Sequence, residues 1–162
     1  MKNGRKTAIE FLTKVSENDD KVILVVGDVG FSFMEAFKER FPKQFLNTGV
    51  LEQSMMGIAV GLSIAGYKPY VYTMKNFIIM RPFEQLRNDI CHGNANVKLL
   101  SVGGSEAYRF LGISHNLVGD EEETLLKNMP NLTKYLNPES EESLGSNLLK
   151  EYNRAGPAYF EI

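Results

Sequence analysis

Apolar residues fall along this chain in two alternating rhythms. Short unbroken runs at 22–26 (VILVV), 45–47, 69–73, 97–102, 132–136 and 158–162 read as six strands. Between them the spacing widens to that of helices. Ala8, Phe11, Leu12 and Val15 mark the first helix, and Phe33, Phe37 and Phe41, with charges between them, mark the second. Residues 51–65 form a third. Phe83, Leu86 and Ile90 mark a fourth that starts after Pro82, and Leu144, Leu148, Leu149 and Tyr152 a last one that Gly156 and Pro157 stop. Strands that are apolar throughout and alternate with helices predict an α/β fold: a three-layer, mainly parallel six-stranded sheet with helices on both faces. No repeat, linker or low-complexity tract divides the chain, so residues 1–162 are expected to form one domain. The long irregular stretch is 103–120, and loops at strand ends are where α/β sheets place chemistry.

Charge and composition narrow the partners. A formal net charge of -2, with lysines and arginines spread among acids, offers no basic stripe for a phosphate backbone, which excludes nucleic acid as an expected partner. One cysteine, Cys91, cannot close an internal disulfide, and no charged start precedes an apolar run as in a signal peptide, so the cytoplasm is the expected compartment. The most apolar stretch, 55–65, is far shorter than the roughly 20 residues that span a bilayer. It reads as a buried helix, and no membrane partner is expected.

Several motifs carry candidate chemistry, each beside a plainer reading. Glu52 stands about one turn ahead of a small-residue stripe, Gly57, Gly61 and Ala65. A carboxylate entering an apolar wall must be paired, exposed at its edge, or bound to a ligand; near a helix start it also gains from the macrodipole or from capping backbone amides. The residues alone leave these open. The stripe itself permits close packing, inside the domain or across a subunit interface. "VILVVGDVGFSF" ends a strand in Gly27, Asp28 and Gly30, a turn that could cradle a phosphate but lacks the third glycine of a dinucleotide fingerprint and the lysine of a P-loop. His92 and His115 are the two histidines, and with one cysteine they give no metal-ligand spacing. His115, in "FLGISHN", is a candidate acid or base; Ser114 beside it is a sequence neighbour, without the G-x-S-x-G of a nucleophile elbow.

Taken in order, these segments resemble the pyrimidine-binding domain of the transketolase-like thiamine diphosphate enzymes, from about residue 22 to residue 162. "GDVGFSF" is similar to the family's first strand and turn, and "NTGVLEQSMMGIAVGLSIAG" to its G-I-x-E-Q segment. "FIIMRPFEQLR" is similar to F-x-x-x-R-x-x-E-Q-I-R, "NVKLLSVGG" to the next strand, "LGISHN" to D-G-x-T-H-Q, and "GPAYFEI" to the closing G-P-x-Y strand. The resemblance implies the thiamine diphosphate-binding fold and roles for particular residues. Glu52 would hydrogen-bond N1′ of the cofactor's aminopyrimidine, the proton that the 4′-imino group needs in order to act as base at the thiazolium C2. Phe77 would stack on the pyrimidine. Arg81 would lie near cofactor and substrate, and Asp28 would bind cofactor. Ser32 and His115 would face the substrate, with His115 handling its protons. The family holds the diphosphate and Mg2+ through a separate domain carrying G-D-G and a later asparagine. Here Gly27-Asp28-Val29 and Asn47 depart from that motif, so the resemblance implies a second subunit that supplies the diphosphate domain and most of the magnesium ligands. The resemblance ends with the chain, before the third domain of ordinary transketolases, and implies either a small subunit of a split enzyme, in a hetero-oligomer such as a heterotetramer, or a fragment of a longer chain; the Met1 start favours the former.

Three departures concern the small-molecule substrate. Gly103 stands where phosphosugar-using relatives place a histidine, Leu111 where they place the loop aspartate, and Glu161 where they place an arginine. A lost histidine and arginine and a gained acid weaken a phosphate site, which implies a substrate without a terminal phosphate there, or one held by the partner. The reading is therefore a transferase acting on a carbon–carbon bond next to a carbonyl. A 2-oxo acid decarboxylase subunit, a non-catalytic regulatory or assembly module, and a nucleotide-binding domain using the Gly27–Gly30 turn are the alternatives.

Overall fold

The computed structural model describes residues 3–29, 32–103 and 109–162. Their backbone forms a six-stranded sheet in the order β2-β1-β3-β4-β6-β5. The strands are β1 (Val22–Val26), β2 (Phe45–Asn47), β3 (Lys68–Met74), β4 (Lys98–Val102), β5 (Thr133–Tyr135) and β6 (Ala158–Glu161), and every pairing is parallel. The predicted strands are all present, within one residue at each end.

Because side chains alternate across a strand, each apolar run supplies two cores. Ile23, Val25, Val71, Leu99 and Tyr159 point to one face. There they meet α3 (Glu52–Ile64), α4 (Lys75–Ile79), α5 (Phe83–Gln85) with its π-helical continuation Leu86–His92, and α6 (Glu121–Leu126). Val22, Leu24, Val26, Tyr70, Tyr72, Leu100 and Phe160 point to the other, against α1 (Gly4–Ser16), α2 (Glu35–Arg40) and α7 (Glu141–Tyr152).

Three helical expectations are corrected. Of the phenylalanine trio only Phe37 lies within α2; Phe33 and Phe41 flank it, and Pro42 opens a separate 3-10 turn. Phe83 is exposed, and only Leu86 and Ile90 of the fourth pattern reach the core. Helix α3 is not a buried helix. Met55, Met56 and Ala59 face the sheet, whereas Ile64 is 83% exposed and a side chain added at Gly57 or Gly61 would meet nothing within 4 Å. An apolar composition all round suggests burial, but this sheet covers only one side of the helix. The pattern also gives no sign of α4 or α6, each too short to show a helical period.

The topology directs attention to one edge. The chain leaves β1 for β2 on one side and returns to β3 on the other, so the β1–β3 boundary is a switch point where α/β sheets open a crevice at their carboxyl ends. At the opposite edge, Asp19 fastens three elements. Its Oδ2 accepts from Lys68 Nζ (2.7 Å) and Tyr152 OH (2.8 Å), and its Oδ1 accepts from the Lys21 amide (2.9 Å). Burial raises the Asp19 pKa, but these donors together outweigh it and hold the carboxyl below its usual range. A carboxyl with a depressed folded pKa contributes stability above its unfolded value and loses it as pH falls through the folded one. Asp19→Asn should therefore cost about 1–2 kcal/mol at neutral pH, a cost that begins to fade at about pH 4 and is lost as the pH falls through the lowered folded pKa, measured by urea unfolding across that range.

Candidate active site

Glu52 is the first residue of α3, and its carboxylate is 5% exposed. The capping alternative is not what the side chain does. Leu51 is the cap residue and gives no side-chain bond, while Glu52 Oε1 accepts from Arg81 Nη1 at 2.5 Å. A carboxylate at the positive end of a helix, with a guanidinium against it, needs no further reason to be charged in an apolar wall.

Arg81 is held by a second contact. Phe77, in α4, lies one turn earlier, and the i,i+4 spacing sets the Arg81 guanidinium over its ring, with Cζ 3.5 Å from the centroid. Phe77 is 7% exposed, and His115 also lies against it, edge-on with ring centroids 5.0 Å apart. Four residues singled out from the sequence, Glu52, Arg81, Phe77 and His115, thus form one contiguous cluster. They come from three segments that the chain separates by up to 63 positions. The α4 turn starts where β3 runs two residues past β1, which sets Phe77 beyond the carboxyl end of the β1–β3 boundary.

Asp28 and Ser32 lie on the same edge and have local partners. Asp28 adopts φ 55° and exchanges two hydrogen bonds with Asn47: its amide donates to Asn47 Oδ1 (3.2 Å), and Asn47 Nδ2 donates to Asp28 Oδ1 (3.0 Å). The aspartate and asparagine that echo a diphosphate motif therefore clip the ends of β1 and β2 together. Ser32, at φ 70°, donates its amide to Glu35 Oε1 (2.9 Å) at the start of α2. Gly30, the last glycine of that turn, lies outside the described residues.

A second cluster is one that the sequence did not announce. Lys75, buried two residues before Phe77, places Nζ 2.5 Å from both Glu122 of α6 and Glu161 of β6. Glu161 Oε2 also accepts from the Asn137 amide (2.7 Å), and Glu122 Oε1 accepts from Tyr159 OH (2.6 Å). Burial first, then the negative Glu122, push the Tyr159 phenol well above its ordinary pKa. One sequence signal could have found this cluster: a lysine directly following a continuous apolar strand needs a buried counter-charge. Its partners, 47 and 86 residues later, carried no such mark.

The sequence profile of a family described as "Transketolase, pyrimidine binding domain" matches residues 2–161. The chain belongs to this family. It is 32% identical over 117 residues to an apulose-4-phosphate transketolase subunit of Phocaeicola vulgatus, a match covering 72% of the chain and 38% of that protein. It is 30% identical over 146 residues to an uncharacterized 33.6 kDa protein in the fasciation locus of Rhodococcoides fascians, covering 90% of the chain and 46% of that protein. A solved structure described as "Split gene transketolase, inactive beta4 tetramer" superposes with a TM-score of 0.85 at 28% identity, covering 98% of the chain and 50% of its counterpart. The chain spans less than half the length of these curated relatives. The transketolase pyrimidine domain thus accounts for the six-stranded parallel sheet. No helix among the described residues is long and apolar enough to cross a membrane.

Proposed function

We propose that residues 1–162 act as one pyrimidine-binding domain within a two-chain, thiamine diphosphate-dependent transketolase-like enzyme. The observation that carries this reading is the buried Glu52 carboxylate, paired with a planar cation that lies on Phe77. A guanidinium offers N–H donors to a carboxylate and a flat, electron-poor face to an aromatic ring. An aminopyrimidine protonated at N1′ offers the same two features, so the donor set fits the group. When bound, the cofactor supplies a nucleophilic carbon that cleaves or forms a bond next to a carbonyl. The chain's residues would do the rest. Glu52 would hold a proton at N1′ in a poorly solvated wall, where a charge-assisted bond is strongest. Phe77 would fix the ring's plane, and His115 would move protons at the substrate's hydroxyls. Arg81 must leave Glu52 and Phe77 before the ring can enter, and would then face the substrate channel. Asp28 and Ser32 would line the same edge.

The second subunit would carry the diphosphate domain and most of the Mg2+ ligands. Its contact surface would be the outer side of α3, where Gly57, Gly61, Ile58 and Ile64 lie uncovered beside exposed Val50, Leu51 and Met80. Small residues there let a partner helix approach closely. The neighbour described as an inactive tetramer of β chains supports the need for a second kind of chain. A hetero-oligomer such as a heterotetramer in the cytoplasm is the assembly proposed.

For the substrate, Lys75 is paired with both Glu122 and Glu161, and two carboxylates against one ammonium give the trio a net negative formal charge. A cluster of that sign does not attract a phosphate, so on this reading the reacting sugar lacks one there or the partner subunit holds it. Glu161→Arg should lower KM for a phosphorylated ketose by about tenfold while changing kcat little, measured on the assembled enzyme. An unchanged KM ratio between phosphorylated and plain ketoses would remove Glu161 from substrate selection. The first experiment is calorimetry of thiamine diphosphate and magnesium into the chain mixed with its co-purifying partner. Binding that requires both chains supports the reading, and no binding in the mixture overturns it in favour of a regulatory or assembly module.

A further inference from the structure

We infer that Ser114 and Asn76 are positioning residues that fix the tautomer and the plane of the His115 imidazole. The catalytic consequence rests on the function proposed above, but the tautomer stands on the geometry of this chain alone. Ser114 Oγ lies 2.7 Å from His115 Nδ1 and 3.2 Å from the Leu111 carbonyl. A hydroxyl carries one proton and two acceptor sites. If the proton goes to Leu111 O, the hydroxyl oxygen is free to accept from Nδ1–H, and both contacts become hydrogen bonds. If it goes to Nδ1, the carbonyl is left without this donor. The first arrangement makes two bonds within the loop and the second makes one, with the exposed Leu111 carbonyl left to solvent, so the loop favours the Nδ1–H form and leaves the Nε2 lone pair available as a base.

Asn76 sets where this pair sits. It is 6% exposed, the neighbour of Phe77 on α4, and its Nδ2 donates to the Ser114 carbonyl. The opposite amide orientation would set oxygen against oxygen, so the Ser114 carbonyl decides which end faces it. The Asn76 Oδ1 is buried and has no hydrogen-bond partner among the described residues. Asn76 thus commits its amide to the loop. The same bond brings His115 edge-on to Phe77, so one short segment, Asn76-Phe77, holds both the aromatic platform and the imidazole. The loop's own turn supports the arrangement: Gly112, at φ 68°, presents a carbonyl that accepts from the His115 amide (3.2 Å) and from Asn116 Nδ2 (2.8 Å).

The test is nitrogen NMR of the imidazole in this chain at about pH 8, above the ordinary imidazole range, for wild type, Ser114→Ala, Ser114→Thr and Asn76→Ala. Wild type and Ser114→Thr should show Nδ1–H as the major form. Ser114→Ala should revert to Nε2–H, the form that free histidine prefers in water, with the backbone spectrum otherwise unchanged. Asn76→Ala should move the His115 ring protons out of the Phe77 ring-current field. On the assembled enzyme, Ser114→Ala should lower kcat about tenfold with KM nearly constant, and threonine should restore it. An Nε2–H major form in wild type, or one unchanged in Ser114→Ala, overturns the inference. Should the mixture of chains bind no cofactor while the tautomer shifts as described, the positioning stands and only the proposed reaction falls.

Discussion

Glu52→Gln is expected to lower turnover of the proposed two-chain enzyme by about 10³-fold, in the range of a lost electrostatic or acid–base group. The substitution keeps the shape of the side chain and an oxygen for Arg81, so the α3 start should remain folded. What it removes is the negative charge that would hold a proton at N1′. The circular dichroism band of the bound aminopyrimidine reports that proton directly, and it should disappear together with turnover while the melting temperature changes little. Turnover within about tenfold of wild type would show that the buried carboxylate is a structural partner of Arg81 and nothing more.

Arg81→Met is expected to act in two opposite directions. In the free chain it strands a carboxylate that is 5% exposed, whose cation partner among the described residues is Arg81, so the melting temperature should fall. Toward the ligand, the same change removes a competitor. The guanidinium side chain is 42% exposed, so its ion pair and its contact with Phe77 together stabilise the closed arrangement by only about 1–2 kcal/mol. Removing them should tighten binding of 4-amino-5-hydroxymethyl-2-methylpyrimidine to this chain by about 5- to 30-fold, and the ligand should restore the lost melting temperature. NMR titration of wild type and Arg81→Met reads the binding, and thermal melts with and without the ligand read the two changes in melting temperature. Weaker binding to Arg81→Met would mean that Arg81 assists the ring rather than excluding it.

The two clusters differ in how far the sequence exposed them. Glu52, Phe77, Arg81 and His115 sit in segments whose order and spacing resemble a family, so each could be named before any contact was seen. Their mutual arrangement could not. The stacking of Arg81 on Phe77 follows from an i,i+4 relation, but that helix is one short turn, with no period for a pattern to reveal. Lys75 and Glu122 were legible only as isolated charges and Glu161 only as a departure from the family, because an ion pair between residues 47 and 86 positions apart depends on sheet order rather than on local spacing.

The chain by itself determined the six strands and the two faces of the sheet, since continuous apolar runs can be satisfied only by cover on both sides. Tertiary structure alone decided three further matters: that α3 turns its glycines outward, that Asp28 and Asn47 pair with each other, and that Arg81 rests in the cleft between Glu52 and Phe77. Each depends on which surface a neighbouring element covers and which charge lies within hydrogen-bond reach. Those are properties of distance in space, and a one-dimensional pattern carries no such distances.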